Sequence, residues 1–450
     1  MRRVSLDLSL TGRRGVGVVL TGMIAGVGVV VFRWTLRALV YLLQRVIGVK
    51  KLVALTEISH LDGVRLWLLP VMILIGFGLA KVVSMRTGIA SRGERGADRV
   101  IEVVNGATAE LPLREALGTG VAGVVALGAG VSGGPEGPIA MLVGGPLINW
   151  LPRLGLEKRE VKVLAACGVG AALACLFQAP LAGVLLAGEL FVAVGFLGVV
   201  ILPGLLISAI AWAIESAVFG GSPLIGHLSF GAIHAEMYAT AVVVGLIAGG
   251  IGLLYRWWIV VVGRRVTRYS RSRLWRWVVI ALVVTAITSL TAIAAPEVLS
   301  TGTGWIRLVT LNAMLGAWPL WLLLVVPIAR LALTGLSLSA EAPIGVLGPA
   351  LIIGSFSGAA LWRLGALVHL PTSFGTLAVV AILMFGAVFG SIGRVPLSMI
   401  AIALEATGSL TIAPLLIVAV AVAAAMAHRY GMTIFGAQVP PGHSPLSALG

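Results

Sequence analysis

The sequence predicts an all-α polytopic membrane protein made of two related halves, each combining full spans with tilted or broken helices. Composition is the first reason. Hydrophobic residues make up 59% of the 450 and charged residues 11%, and the mean hydropathy is +1.07, well above a soluble domain. Apolar stretches of ~20 residues, the length that crosses a bilayer, recur along the chain. An internal repeat is the third reason. Gly170 precedes Pro180-Leu181 by ten residues and Glu189 follows that proline by nine; Gly386 precedes Pro396-Leu397 by ten and Glu405 follows by nine. Glycine, at 59 residues, suits close helix packing and interrupted helices.

Taken in order, Met1 to Arg14 carries Arg2, Arg3, Arg13 and Arg14 with no small-residue cleavage site after the next apolar run. This excludes a secretory signal peptide and makes residues 1–15 a cytoplasmic N-terminal segment. The first span, Val16 to Val46, contains Arg33 and Arg37 and exceeds what a bilayer requires, so it tilts or protrudes. Leu66 to Val83 returns to a cytoplasmic cluster of Lys81, Arg86, Arg92, Arg95 and Arg99. Val100 to Val104 is too short to span, which suggests a broken helix. Leu111–Gly130, Ile139–Leu151, Val161–Phe177, Pro180–Val194 and Leu197–Ala217 complete a first half over 16–217. Residues 218–238, with His227 and His234, read as a linker.

The second half, 239–428, opens with Ala239 to Val262, and the arginines from Arg264 to Arg276 mark a cytoplasmic loop. Spans follow at Val278–Ala294, Trp318–Leu338, Ala350–Val368, Leu377–Ile392, Leu397–Leu404 and Leu410–Ala427, then a short C-terminal segment, 429–450. The formal net charge of +15 lies in clusters between spans, so it signals topology and contact with membrane lipid rather than nucleic acid. Cys167 and Cys175 share one apolar run and match no disulfide frame or metal spacing. No cofactor is implied. The six histidines form no H-E-x-x-H or comparable motif, so the chain does not read as an enzyme.

The stretch around which the chain is organised is Gly128 to Pro138, Gly-Ala-Gly-Val-Ser-Gly-Gly-Pro-Glu-Gly-Pro, which leads straight into an apolar segment. It sets one carboxylate, Glu136, in a glycine and proline break, with Pro138 where a new helix would begin. A carboxylate at bilayer depth costs about 2.5 to 3.5 kcal/mol, and such residues usually line an ion or proton path. Freed N–H groups at the break would bind an anion, a place for which Glu136 competes. In isolation the same carboxylate serves equally as a cap for a re-entrant loop. The second half supplies a partner for the break, Gly345-Val346-Leu347-Gly348-Pro349. Broken helices at corresponding places in two halves point to a transport site near the bilayer midplane.

Gly134-Pro135-Glu136-Gly137-Pro138 resembles the G-R/K-E-G-P signature of the CLC chloride channels and chloride/proton exchangers. Gly345 to Pro349 resembles its G-x-F-x-P, and Ala179-Pro180-Leu181-Ala182-Gly183 with Glu189 its A-P-L-A-G segment. The resemblance covers most of the chain and implies a homodimer, each subunit holding its own pathway between two inverted repeats. It implies the prokaryotic type without paired cytoplasmic CBS domains, in a bacterial inner membrane with both termini cytoplasmic. Carried over, Glu136 is the gating residue. Gly134, Pro135, Gly137 and the amides of Val346 and Leu347 line the anion positions.

Several positions depart from the family pattern. Its G-S-G-I-P falls on Glu94-Arg95-Gly96-Ala97-Asp98, which puts Arg95 at the anion-binding serine, and Phe435 stands for the tyrosine of the last helix. Exchangers often carry adjacent glutamates where this chain has Glu189-Leu190, so the usual internal proton acceptor is a leucine and Glu189 is the remaining candidate for a proton path. The expectation is therefore transport of chloride or a similar anion with weak or no proton coupling. The alternatives are coupled chloride/proton antiport and an inverted-repeat transporter of another substrate, whose acidic residues would be Glu136, Glu189, Glu341 and Glu405.

Overall fold

A computed structural model describes residues 12–48, 65–87, 96–105, 110–191, 197–312 and 318–430, together with Ile434. The first half runs α1 (Gly12–Ile47), α2 (Leu68–Thr87), α3 (Gly96–Asn105), α4 (Leu113–Gly128), α5 (Glu136–Trp150), α6 (Lys158–Leu176), α7 (Pro180–Leu186) and α8 (Leu197–Phe219). The second runs α9 (Glu236–Trp257), α10 (Gly263–Arg271), α11 (Leu274–Ala294), α12 (Gly304–Asn312), α13 (Leu320–Ser339), α14 (Leu347–Leu367), α15 (Leu377–Ile392), α16 (Pro396–Thr407) and α17 (Ala413–Arg429). Eight helices among the described residues are long and apolar enough to cross a membrane.

The halves repeat in order as well as in motif. Helices of 36, 20 and 10 residues open the first half; helical runs of 36, 21 and 9 residues open the second. The second long run is continuous from Glu236 to Arg271 because a π turn, Trp258–Val262, joins α9 to α10. The arginines from Arg264 to Arg271, expected in a loop, therefore lie on a helical extension. Helix α12, the counterpart of α3, was not among the expected spans: its residues 304–312 include Arg307 and are too few to cross. Helix α5 begins at Glu136, two residues before Pro138, because proline is tolerated throughout a first turn whose N–H groups have no intrahelical partner.

The first span is one unbroken helix about 54 Å long at 1.5 Å per residue. Its two internal arginines are absorbed by α8. Arg33 pairs with the fully buried Glu215, which also accepts from Gln178 Nε2 at 2.8 Å, and Arg37 stacks over the Phe219 ring at 4.4 Å. At its other end Arg14 Nε meets Glu160 at 2.6 Å, and Glu160 forms a capping box with Glu157 at the start of α6.

Helices α6 and α15 form the buried centres of the two halves; most residues of α6 and nearly every residue of α15 are inaccessible. Small residues let neighbours approach to backbone contact. A Cβ on Gly354 or Gly358 of α14 would lie 2.6 Å from Met384 O or 2.7 Å from Ala381 Cα on α15.

The repeated glutamates show how the halves are related. Glu405, near the end of α16, accepts from Leu181 N and Ala182 N at the start of α7, each at 2.9 Å. Glu189, in the π turn 187–191 that ends the α7 segment, accepts from Leu397 N at 3.0 Å and from Ser398 N and Oγ at 2.7 and 2.6 Å at the start of α16. Each helix thus carries at its end the carboxylate that caps the start of the other, which requires the two to run antiparallel. The two halves are inverted repeats.

Removing either cap leaves first-turn amides unsatisfied. Glu405→Ala and Glu189→Ala should each destabilise the protein by about 0.5–2 kcal/mol, read as a lowered thermal transition in detergent. Because the two carboxylates serve different helix ends, the losses should add in the double variant.

Candidate functional site

The two broken-helix loops meet face to face. Gly134 N donates to Gly345 O at 2.9 Å and Gly345 N donates to Gly134 O at 2.7 Å, a single antiparallel bridge within an otherwise helical interior. The bridge satisfies backbone groups that water cannot reach and aims the N-termini of α5 and α14 at a common point. A third N-terminus joins them: a Cβ on Gly96, the first residue of α3, would lie 2.8 Å from Gly137 O. Partial positive ends of helices converge where an anion would be favoured.

Glu136 occupies that point. Its side chain is 4% exposed and Oε1 accepts from Gly348 N. The amides of Glu136 itself and Leu347 also lie toward the carboxylate, and Arg330 is a cation near enough to attract it. Oε2 has no hydrogen-bond partner among the described residues.

The glycines around it have a steric purpose. A Cβ on Gly348 would stand 2.7 Å from Oε1, and one on Gly134 or Gly345 would stand 2.7 or 3.0 Å from Cδ. The carboxylate is therefore seated in a notch that only glycine leaves open. Below it lies a cavity lined by Glu136, Gly137, Leu190, Val346, Leu347 and Phe389 among others, and Ile434 reaches it from beyond α17.

Arg330 on α13 is the residue that sequence reasoning missed. It is fully buried and donates to Ser132 Oγ at 3.1 Å, Val298 O at 2.5 Å, Ser300 O at 2.8 Å, Gly133 O at 3.5 Å, Leu299 O at 3.4 Å and Thr301 O. It thus clamps the loop before α5 to the loop after α11. By drawing these carbonyl oxygens to itself, it fixes the loop whose Gly134 pairs with Gly345 across the bridge. Tyr255 does the same for the second break, donating its hydroxyl to Val346 O at 3.2 Å. An arginine inside the apolar run Trp318–Leu338 was the available signal, since charges within spans are usually functional.

Of the residues expected from the sequence, the structure brings Glu136, Gly134, Pro135, Gly137, Val346 and Leu347 together. Pro135 is the N-cap residue of α5. Glu189 is elsewhere, with both oxygens engaged by α16. Arg95 and Phe435 lie outside the described residues.

The profile of the family described as voltage gated chloride channel matches residues 73–428. The chain belongs to that family. Curated relatives include the H(+)/Cl(-) exchange transporter ClcA of Citrobacter koseri, 27% identical over 293 residues, which are 64% of this chain and 60% of the relative. The protein of the same name from Salmonella agona is 27% identical over 291 residues, with the same coverage. The matched region thus spans 60% of the length of these relatives. Among solved structures, a slow cyanobacterial Cl-/H+ antiporter aligns with a TM-score of 0.79 at 22% identity, covering 98% of both chains. A CLC-type fluoride/proton antiporter aligns with a TM-score of 0.73 at 22% identity, covering 94% of this chain and 97% of that one. Both likenesses are to the helical fold.

The geometry yields two expected outcomes. Gly345→Ala places a methyl against the Glu136 carboxylate and should unseat it, so anion flux at neutral pH, measured in liposomes, should shift toward that of a Glu136→Gln variant. Arg330→Met strands several buried carbonyls and should destabilise by about 3–5 kcal/mol, as for breaking a buried charge network; a thermal transition in detergent reports it.

Proposed function

We propose that this chain carries chloride or a similar small anion across the membrane, that Glu136 gates the passage, and that anion movement is exchanged for protons. The observation that carries the reading is the seat of Glu136: a lone buried carboxylate on the amide of Gly348, where helix N-termini converge. An anion and the carboxylate want the same donors, so protonation, which removes the charge of Glu136, frees the amides for the anion. A residue that takes a proton when it yields to an anion links the two fluxes. Val346 and Leu347 amides, with Gly134, Pro135 and Gly137, form the proposed anion-binding set.

Leu190 in place of an internal acceptor favours weak or absent coupling. The relatives named as H(+)/Cl(-) exchange transporters support exchange more strongly, and exchange is the reading taken here. Glu189 is spent on capping α16, which supports a structural role for it rather than a proton path. A cation-carrying reading needs acidic side chains on the pathway. Glu405 caps α7, and Glu341 meets Lys81 at 2.9 Å and Arg271 at 3.7 Å, so neither is free for that role.

The same proposal includes a homodimer in contact with lipid in a bacterial inner membrane. Both termini are cytoplasmic in it, supported by the basic clusters at Arg13-Arg14 and Arg264–Arg276. Liposome transport tests the function. A chloride gradient should drive proton uptake in fixed ratio, and Glu136→Gln should abolish the uptake while leaving chloride flux that no longer responds to pH. Chloride flux without proton movement would overturn exchange, unchanged pH response in a folded Glu136→Gln protein would overturn the gate, and sodium flux in place of chloride would overturn the anion reading.

A further inference from the structure

The loop between α13 and α14 holds a glutamate in an unusual backbone conformation. Glu341 has φ +65°, the left-handed region that L side chains disfavour and glycine occupies freely. The repeat shows what the position requires. Gly130 stands four residues before Gly134 and Glu341 four residues before Gly345, and the two close their helices with the same bonds. Gly130 N donates to Leu127 O and Val131 N to Ala126 O, each at 3.1 Å; Glu341 N donates to Leu338 O and Ala342 N to Ser337 O, each at 3.1 Å. This is a Schellman cap, whose left-handed residue is usually glycine. The first half has that glycine, with φ +98°; the second does not.

The contacts of the Glu341 side chain account for the exception. It is 6% exposed, and Oε2 meets Lys81 Nζ of α2 at 2.9 Å and Arg271 Nε of α10 at 3.7 Å. Ser270 Oγ donates to Oε1 at 3.3 Å. The residue before it is held as well: Trp277 Nε1 of α11 donates to Ala340 O at 2.9 Å, and Lys81 Nζ lies 5.5 Å from the Trp277 ring. Helices α2, α10 and α11 thus converge on the start of a loop whose Gly345 forms the bridge to the first break and whose Val346 O is held by Tyr255. Capping alone is served better by glycine, and a strained backbone persists where its side chain has a use.

Resting on the anion-transport reading above, we propose that Glu341 is a positioning residue of the anion site: through Lys81, Ser270 and Arg271 it fixes the loop that carries the Val346, Leu347 and Gly348 amides. The first break is anchored by a guanidinium reaching in, that of Arg330 on Ser132 Oγ and Gly133 O. The second is anchored by a carboxylate reaching out to α2 and α10. Backbone donors bind best when they are already in place, so a loop released from α2 and α10 holds the same amides less often in the binding geometry. The consequence is weaker anion binding with the passage itself intact.

Chloride flux in liposomes, measured against chloride concentration, separates this role from a contribution to folding. The double variant Glu341→Gly with Lys81→Met relieves the left-handed backbone and leaves no unpaired ammonium in the interior, so its thermal transition in detergent should stay near that of the wild type. Its half-saturating chloride concentration should nevertheless rise by about threefold or more, with maximal flux retained. Glu341→Gln, which keeps the length of the side chain and removes its charge, should show the same rise. An unchanged half-saturation in the double variant, whatever its thermal transition, would overturn the positioning role and is the result that a purely structural ion pair predicts. Absence of chloride flux in the wild type would instead overturn the anion-transport reading and this inference with it.

Discussion

The bridge between Gly134 and Gly345 is the contact on which the interior depends. Inside a bilayer every unsatisfied peptide group costs several kcal/mol, so two helices interrupted within an apolar interior need partners for the groups they expose. Each break supplies them to the other through reciprocal backbone bonds. Arg330 and Tyr255 then take up carbonyls on the outer sides of the loops. The donor that this arrangement turns toward Glu136 is the amide of Gly348, and that pairing is the chemistry of the site. Glycine at 134, 345 and 348 follows from the same geometry, because a carboxylate sits where a side chain would otherwise stand.

A second reciprocal contact sets the relation of the halves. Glu189 and Glu405 exchange helix caps across the inverted repeat, which accounts for why both stand nine residues after a proline at a helix start. This use of the repeated carboxylates bears on mechanism. A glutamate whose two oxygens already serve three donors has little reason to leave them, so proton traffic is more naturally assigned to carboxylates that face the cavity. Glu136 does so, from the N-terminus of α5.

The sequence by itself determined the membrane setting, the repeat and the breaks, because these depend on local chemistry. Apolar length dictates a span whatever packs against it. Glycine and proline interrupt a helix through their own backbone limits. The pair Gly134–Pro138 and Gly345–Pro349 was therefore legible, and Glu136 with it. Spans such as Leu377–Ile392 coincide with their helix to the residue. Helix α12 was not legible, since a nine-residue helix has neither the length nor the periodicity to stand out.

Tertiary structure alone decided which side chains face one another. Arg330 and Ser132 are 198 residues apart and Glu136 and Gly348 are 212 apart, and no local pattern encodes such a pairing. Glu189 looked available on its own helix until α16 proved to occupy it. Local propensity fixes where a chain can turn or span; the partner of a buried charge is settled only when helices distant in sequence close around it, because desolvation leaves that charge no alternative but the groups the fold brings near.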